Sequence, residues 1–149
     1  KPVPIDPRNF KNPKVGMAVT AIMGPIANLL AAFAGLLIYN ALFYLAFGFL
    51  ITDIGGFVRT FLSFYISCNI GLAVFNLIPI PPLDGSKVLF LFLPDSAVNF
   101  FYRYQQIFFL AIFVLIYMGV LSPVLNFATN GILDGLTWLS SLPFRLFIH

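Results

Sequence analysis

Asn76-Leu77-Ile78-Pro79-Ile80-Pro81-Pro82-Leu83-Asp84-Gly85 closes a long apolar run, interrupts the backbone with prolines, and then presents a carboxylate beside a glycine. Proline has no amide hydrogen to donate, so the spacing predicts a helix that ends at Ile78 and an extended segment that carries Asp84 sideways. In a bilayer a broken apolar helix with an ionisable group just past the break is costly, and by default such a group marks a functional site. Asp84 is the residue the rest of the chain has to explain, with Asn76 on the helix leading to it.

The surroundings of this stretch say that the solvent is lipid. The chain is 60% hydrophobic and only 9% charged, against roughly 45–50% and 25% in soluble domains. Apolar runs of about 20 residues each suffice to cross a hydrocarbon core. The composition and periodicity predict an all-α polytopic membrane protein, a single membrane domain over residues 1–149, with about three membrane-spanning helices. One of these is broken at the Pro-rich segment.

Upstream of the break, Pro2, Pro4, Pro7 and Pro13 among Lys1, Asp6, Arg8, Lys11 and Lys14 predict a polar loop at a membrane face. An apolar run follows from Gly16 to about Leu50, with a kink at Pro25. In it Gly24, Asn28, Ala32 and Gly35 fall on one face, a small-residue stripe that lets a second helix come close; Asn28 is read as a packing residue. Thr52 to Gly56 reads as a turn, and a second run extends from Phe57 to Ile80, with Tyr65, Asn69 and Asn76 along one stripe. Asn69 is expected to hydrogen-bond another helix, since polar groups in a membrane helix face protein or water.

Downstream, Ser86 to Leu93 is a short apolar piece, Pro94-Asp95 closes it, and Ser96 is placed to cap the next helix. Arg103 and Tyr104 mark an interface, and Ile107 to Leu121 is a further span. Lys87 is near enough to Asp84 in sequence to pair with it, or to reach for headgroups instead. In the tail, Ile132, Leu136, Leu139 and Leu142 repeat at helical spacing opposite Asn130, Asp134, Thr137 and Ser141. That pattern predicts an interfacial amphipathic helix at the carboxyl terminus.

Several functions are disfavoured by composition. The basic residues form no dense patch and the aromatics do not alternate with them, so nucleic acid is not an expected partner. Cys68 is the lone cysteine, which excludes an internal disulfide and suits a small packing residue. His149 has no second histidine at helical spacing. No cleavable signal peptide is visible at the polar start. No internal repeat supports an inverted-repeat transporter. By the positive-inside rule Lys1, Arg8, Lys11 and Lys14 before the first span, with Lys87 and Arg103 beyond the second, place the Asp84 loop toward the cytoplasm and the carboxyl tail outside.

Asn76, Pro79, Leu83, Asp84 and Gly85, in the spacing Asn-x-x-Pro-x-x-x-Leu-Asp-Gly, resemble a signature of the site-2 protease family of intramembrane zinc metalloproteases. Gly24-Pro25-Ile26-Ala27-Asn28 resembles a further family segment, and the Pro-rich opening looks like the loop before it in compact bacterial members. The resemblance implies an integral, multi-pass protein of a bacterial-type inner or plasma membrane that hydrolyses peptide bonds of transmembrane protein substrates with Zn2+. On that resemblance Asp84 is the third zinc ligand; Asn76, on the helix leading to it, is a catalytic candidate that would hydrogen-bond the substrate carbonyl or steady the zinc-bound water, with packing between helices as the other reading of the same residue.

The family's H-E-x-x-H motif, which supplies two histidine ligands and a glutamate base, is absent, and the chain contains no glutamate at all. The two histidines and the base are therefore expected outside this chain, in a missing amino-terminal portion of the same protein. Two other classes stay open on the residues alone. One is a non-catalytic relative that binds transmembrane segments; the other is a channel or carrier subunit that uses Asp84 for ion passage.

Overall fold

The computed structural model describes residues 12–147, and these are helical with no strand among them. The expected polar loop of residues 1–15 is corrected at its end, where Pro13, Lys14 and Val15 already belong to the first helix; Lys1, Arg8 and Lys11 lie outside the described residues, as does His149. Seven helices follow in order among the described residues.

Helix α1 spans Pro13–Leu45. Asn12 caps it, its side chain accepting from the Val15 amide at 3.4 Å, and Pro13 occupies the first turn, where a missing amide hydrogen costs nothing. The helix continues through Pro25, which is fully buried. A four-residue helix, α2 (Phe47–Leu50), turns the chain.

Helix α3 spans Asp53–Asn76 and returns antiparallel to α1. Its start corrects the sequence reading: Thr52 to Gly56 is not a free turn but a cap and first turn, with the Thr52 hydroxyl accepting from the Gly55 amide at 3.1 Å. Gly55 has no room for a side chain there, because a Cβ would fall 2.7 Å from Leu50 Cα and closer still to the Phe49 carbonyl. Threonine as cap and glycine as contact are doing different jobs in one short sequence.

The small-residue stripe predicted on α1 is the α1–α3 seam. Ala32 is fully buried, and a Cβ on Gly35 would fall 3.0 Å from both Ile66 and Tyr65. Ala32, Leu36, Ile66, Ile70 and Val74 form the core. With no hydrophobic drive between helices in lipid, such close contact is the main source of attraction. Asn69 does not reach across the seam as expected; its amide donates to its own helix, to the Tyr65 carbonyl at 2.8 Å.

After α3 come α4 (Gly85–Leu89), α5 (Asp95–Arg103), α6 (Gln105–Tyr117) and α7 (Ser122–Phe147). Ser96 is not the cap of α5; Pro94 precedes the helix and Asp95 opens it. Helices α5 and α6 meet at a 66° bend, at the Arg103–Tyr104 position that the sequence marks as an interface. Nearly all of α6 is exposed. Gly119, at φ +76°, turns the chain from α6 into α7, a conformation that glycine adopts without strain.

The largest difference from expectation is α7. Its contacts run along two long helices, with Leu125, Ala128, Ile132, Leu133 and Leu136 against the core of α1 and α3, which is not the contact pattern of an isolated interfacial helix. Leu139, expected on the apolar face, is exposed, while Ser140 and Ser141 are buried. The buried Asn40 amide donates to Ser140 at 2.9 Å and Tyr44 stacks on Phe144. Asn40 and Tyr44 therefore advance together with Ser140 and Phe144, so α7 runs parallel to α1. The hydrophobic period locates the helix, but a serine that finds a partner on α1 turns it.

Two helices, α1 and α3, are long and apolar enough to cross a membrane; α5 and α6 pass the same test only together, as a pair bent by 66° that is either a broken span or a re-entrant loop. The chain is an all-helical membrane protein.

Candidate metal and proteolytic site

Helix α3 ends at Asn76, two residues earlier than the sequence predicts, with Leu77 as its cap. The prolines then hold residues 77–84 in a series of tight turns rather than one extended strand: Ile78 donates to Phe75, Ile80 to Ile78 and Leu83 to Ile80, at 2.9–3.1 Å. Pro81 and Leu83 are buried, and the Pro81–Pro82 bond is cis.

Gly85 is what folds this loop back. A Cβ there would sit 2.7 Å from the Ile78 carbonyl oxygen and would overlap the Leu77 carbonyl. Because these are backbone atoms, they cannot swing aside as a side chain would. The Leu-Asp-Gly order thus places a buried leucine as anchor, glycine as the close contact, and the aspartate between them facing outward. Ser86 locks the turn by donating to the Leu83 carbonyl at 2.6 Å.

Asp84 emerges at the α1 side of this turn. Its Oδ1 accepts from Lys87 Nζ at 2.7 Å, while the aspartate side chain remains 37% exposed. Its Oδ2 makes no hydrogen bond among the described residues and faces α1, where a Cβ built on Gly24 would lie 3.8 Å away. Gly24 is the first residue of the Gly-Pro-x-x-Asn segment, so the fold brings the two sequence motifs against each other. The sequence reading left Lys87 open between Asp84 and the headgroups; the i,i+3 spacing on one helical turn favours the pair.

Asn76 is half-buried at the end of α3, beside the same loop, and makes no side-chain hydrogen bond among the described residues. No hydrogen bond joins it to Asp84. Asn28, one turn beyond Gly24 on α1, is half-buried as well. Among the described residues the site is thus a carboxylate with one oxygen held and one available, between two motif-bearing helices.

As a metal centre it is incomplete by itself. Among the described residues no three His, Cys, Asp or Glu side chains gather to hold an ion, and catalytic zinc takes three protein ligands. Asp84 fits as one of them: its unbonded oxygen is the donor a metal would take, and Lys87 on the other oxygen is the kind of partner that orients a ligating carboxylate.

Residues 6–120 match Peptidase family M50. The chain belongs to this family, the site-2 proteases. It is also similar to a Bacillus subtilis (strain 168) protein named "Putative zinc metalloprotease YwhC", 32% identical over 137 residues that cover 89% of this chain. The chain spans 62% of that relative's length. No solved structure gives a significant match. The M50 match takes in Gly24-Pro25, the Pro-rich turn and Asp84, and it stops just before α7 begins.

Proposed function

We propose that this chain is the part of an intramembrane zinc metalloprotease that presents the third metal ligand, and that the complete protein hydrolyses peptide bonds of transmembrane substrates. The observation that carries the reading is the half-held carboxylate of Asp84, set against Gly24 of α1 in a chain of the M50 family. The two histidines and the glutamate base would come from an H-E-x-x-H helix elsewhere in the protein, since their i, i+4 spacing puts both imidazoles on one helix face.

Zinc, when bound, activates water and polarises the scissile carbonyl. This chain's residues do the holding. Asp84 offers Oδ2 as a ligand, and Lys87 fixes the carboxylate through Oδ1. The Asn76 amide, uncommitted to any partner among the described residues, is free to donate to the substrate carbonyl as negative charge develops, an effect worth roughly 10²–10³ in rate for one such donor. The carbonyls of Pro79, Pro81 and Pro82 accept no backbone hydrogen bond among the described residues, so they remain open to a substrate segment unwound from its helix. The Asp84 loop is assigned to the cytoplasmic side by the cations of the chain, Lys14, Lys87 and Arg103 among them.

The test is metal content and cleavage in the complete gene product. The wild type is expected to hold about one zinc and to cut a membrane-embedded reporter, and Asp84→Ala to lose both, since catalytic zinc relies on three protein ligands. Asp84→Ala with undiminished zinc and cleavage rejects the assignment, and conduction through vesicles that depends on Asp84 would favour a channel instead.

A further inference from the structure

Beside the Asp84–Lys87 pair, the start of α1 and the neighbouring helices α4 and α5 line an open pocket of about 200 Å³. Met17 of α1, Lys87 and Phe90 at α4, and Val98 and Tyr102 of α5 line it, with Pro13 and Lys14 at its rim. Phe90 is 5% exposed and is wedged between aromatic rings, 5.8 Å from Phe101 and 5.3 Å from Tyr102 between centroids. One wall of the pocket is therefore a packed aromatic cluster.

Both cations at the pocket are already matched. Lys14 pairs with Asp95 at 2.7 Å and donates to the Leu93 carbonyl at 3.3 Å, which also ties α1 to α5. Lys87 pairs with Asp84. An anionic ligand would have to break one of these pairs, so the chemistry that the pocket welcomes is apolar. Its size is also telling. An apolar cavity of roughly 150 Å³ takes a benzene ring, whereas pockets for whole small molecules run from about 300 Å³ upward. The space suits one leucine, methionine or phenylalanine side chain.

Lys87 fixes where that side chain belongs. Lys87 lines the pocket and its ammonium donates to the Asp84 carboxylate, so one lysine residue links the pocket to the candidate metal ligand. Extended peptide advances about 3.3 Å per residue with side chains on alternate faces. A substrate bond placed at Asp84 thus has a residue one to three positions away within reach of the pocket.

We propose that this pocket is a side-chain subsite that selects a large apolar residue of an unwound membrane segment near the bond to be cut, with Val98 and Tyr102 as specificity-determining residues. The proposal rests on the protease reading of Asp84. The occupant is a side chain of the substrate, not a lipid headgroup and not another part of this protein.

The experiment uses the complete gene product loaded with zinc and a membrane-embedded reporter in which each position within three residues of the cleaved bond is varied through Ala, Leu and Phe. At one position the wild type should favour Leu or Phe over Ala by about tenfold or more in kcat/KM, the discrimination a hydrophobic pocket gives. Val98→Phe, which fills the pocket, should reverse that preference toward Ala, and Tyr102→Ala, which opens it, should flatten the difference between Leu and Phe. With Cys68 and any other cysteine of the complete gene product replaced by serine, and a mild chemical oxidant added, Tyr102→Cys should form a disulfide with a reporter carrying cysteine at the selected position. Cleavage with an unaltered preference in both variants overturns the subsite while leaving the protease reading intact, and so does failure of Tyr102→Cys to crosslink that reporter under the same oxidant. Absence of zinc-dependent cleavage by the wild type rejects the protease reading and the subsite with it.

Discussion

Asn40 and Asp84 are both polar groups in an apolar bundle, the first near the carboxyl end of α1 and the second against Gly24 in its amino-terminal half, and they are treated differently. Asn40 is 9% exposed and donates to Ser140, which in turn donates to the Thr137 carbonyl at 3.1 Å. Asp84 has one oxygen on Lys87, the other without a hydrogen-bond partner among the described residues, and over a third of its side chain exposed. A closed contact of the first kind spends its polarity on joining two helices. An open one of the second kind keeps part of its bonding capacity in reserve, which in lipid is tolerated where the group faces a cavity or another ligand. The difference separates a polar residue that builds the bundle from one that the bundle presents.

The comparison can be broken most sharply at Gly85. Gly85→Ala puts a methyl group against the Leu77 and Ile78 carbonyls and should cost about 1–3 kcal/mol in the loop, as overpacking against unyielding atoms does. Zinc affinity should fall with it while helix content by circular dichroism stays constant, because the α1–α3 seam is untouched. An unchanged affinity would show that the turn is not what presents Asp84.

Lys87→Met keeps an unbranched stem but removes the charge from Oδ1. Chelator competition on the complete protein should report a loss of about 10–100-fold in zinc affinity, the usual consequence of losing a partner that orients a metal ligand, with much of it restored by Lys87→Arg. Tighter zinc binding in Lys87→Met would mean that the lysine competes with the metal instead of orienting its ligand.

The smallest expected effect is at the closed contact. Asn40→Ala should lower stability by roughly 0.6–1.7 kcal/mol, the range for polar contacts between membrane helices, read as thermal unfolding in detergent, with zinc affinity unaltered. A double-mutant cycle with Ser140→Ala should recover most of that as coupling between the two. Loss of zinc in Asn40→Ala would connect the two sites and erase the distinction drawn between them.

Much of this was legible in the residues because the governing rules are local. Composition names the solvent, the glycine and alanine spacing on α1 marks the seam, and Pro79 to Gly85 marks the break. What was not legible depends on partners distant in sequence. Asn69 was expected across the seam and bonds its own backbone, since an asparagine near a carbonyl of the preceding turn has a partner already in hand. Thr52 to Gly56 resembles a turn in composition, yet a threonine cap and a glycine under Phe49 begin a helix. Periodicity placed Leu139 on the apolar face of an interfacial helix and missed Ser140, because hydrophobic period does not weigh a serine that meets an asparagine one hundred positions earlier in the chain. The facing of Asp84 and Gly24 is of the same kind: each motif is visible alone, and only the antiparallel return of α3 sets them together.

The parallel course of α1 and α7 has a topological consequence. Helix α3 ends at the Asp84 end of the bundle, and α7, which packs alongside it in the opposite direction, sets out from that end. Everything between Leu77 and Leu121, including the bent α5–α6 pair, is then a round trip: whatever depth it reaches, it comes back to the level at which it left. Such an excursion has even parity. As long as it starts and ends at that level, its length leaves the direction of the next helix unchanged, and α7 keeps its course parallel to α1.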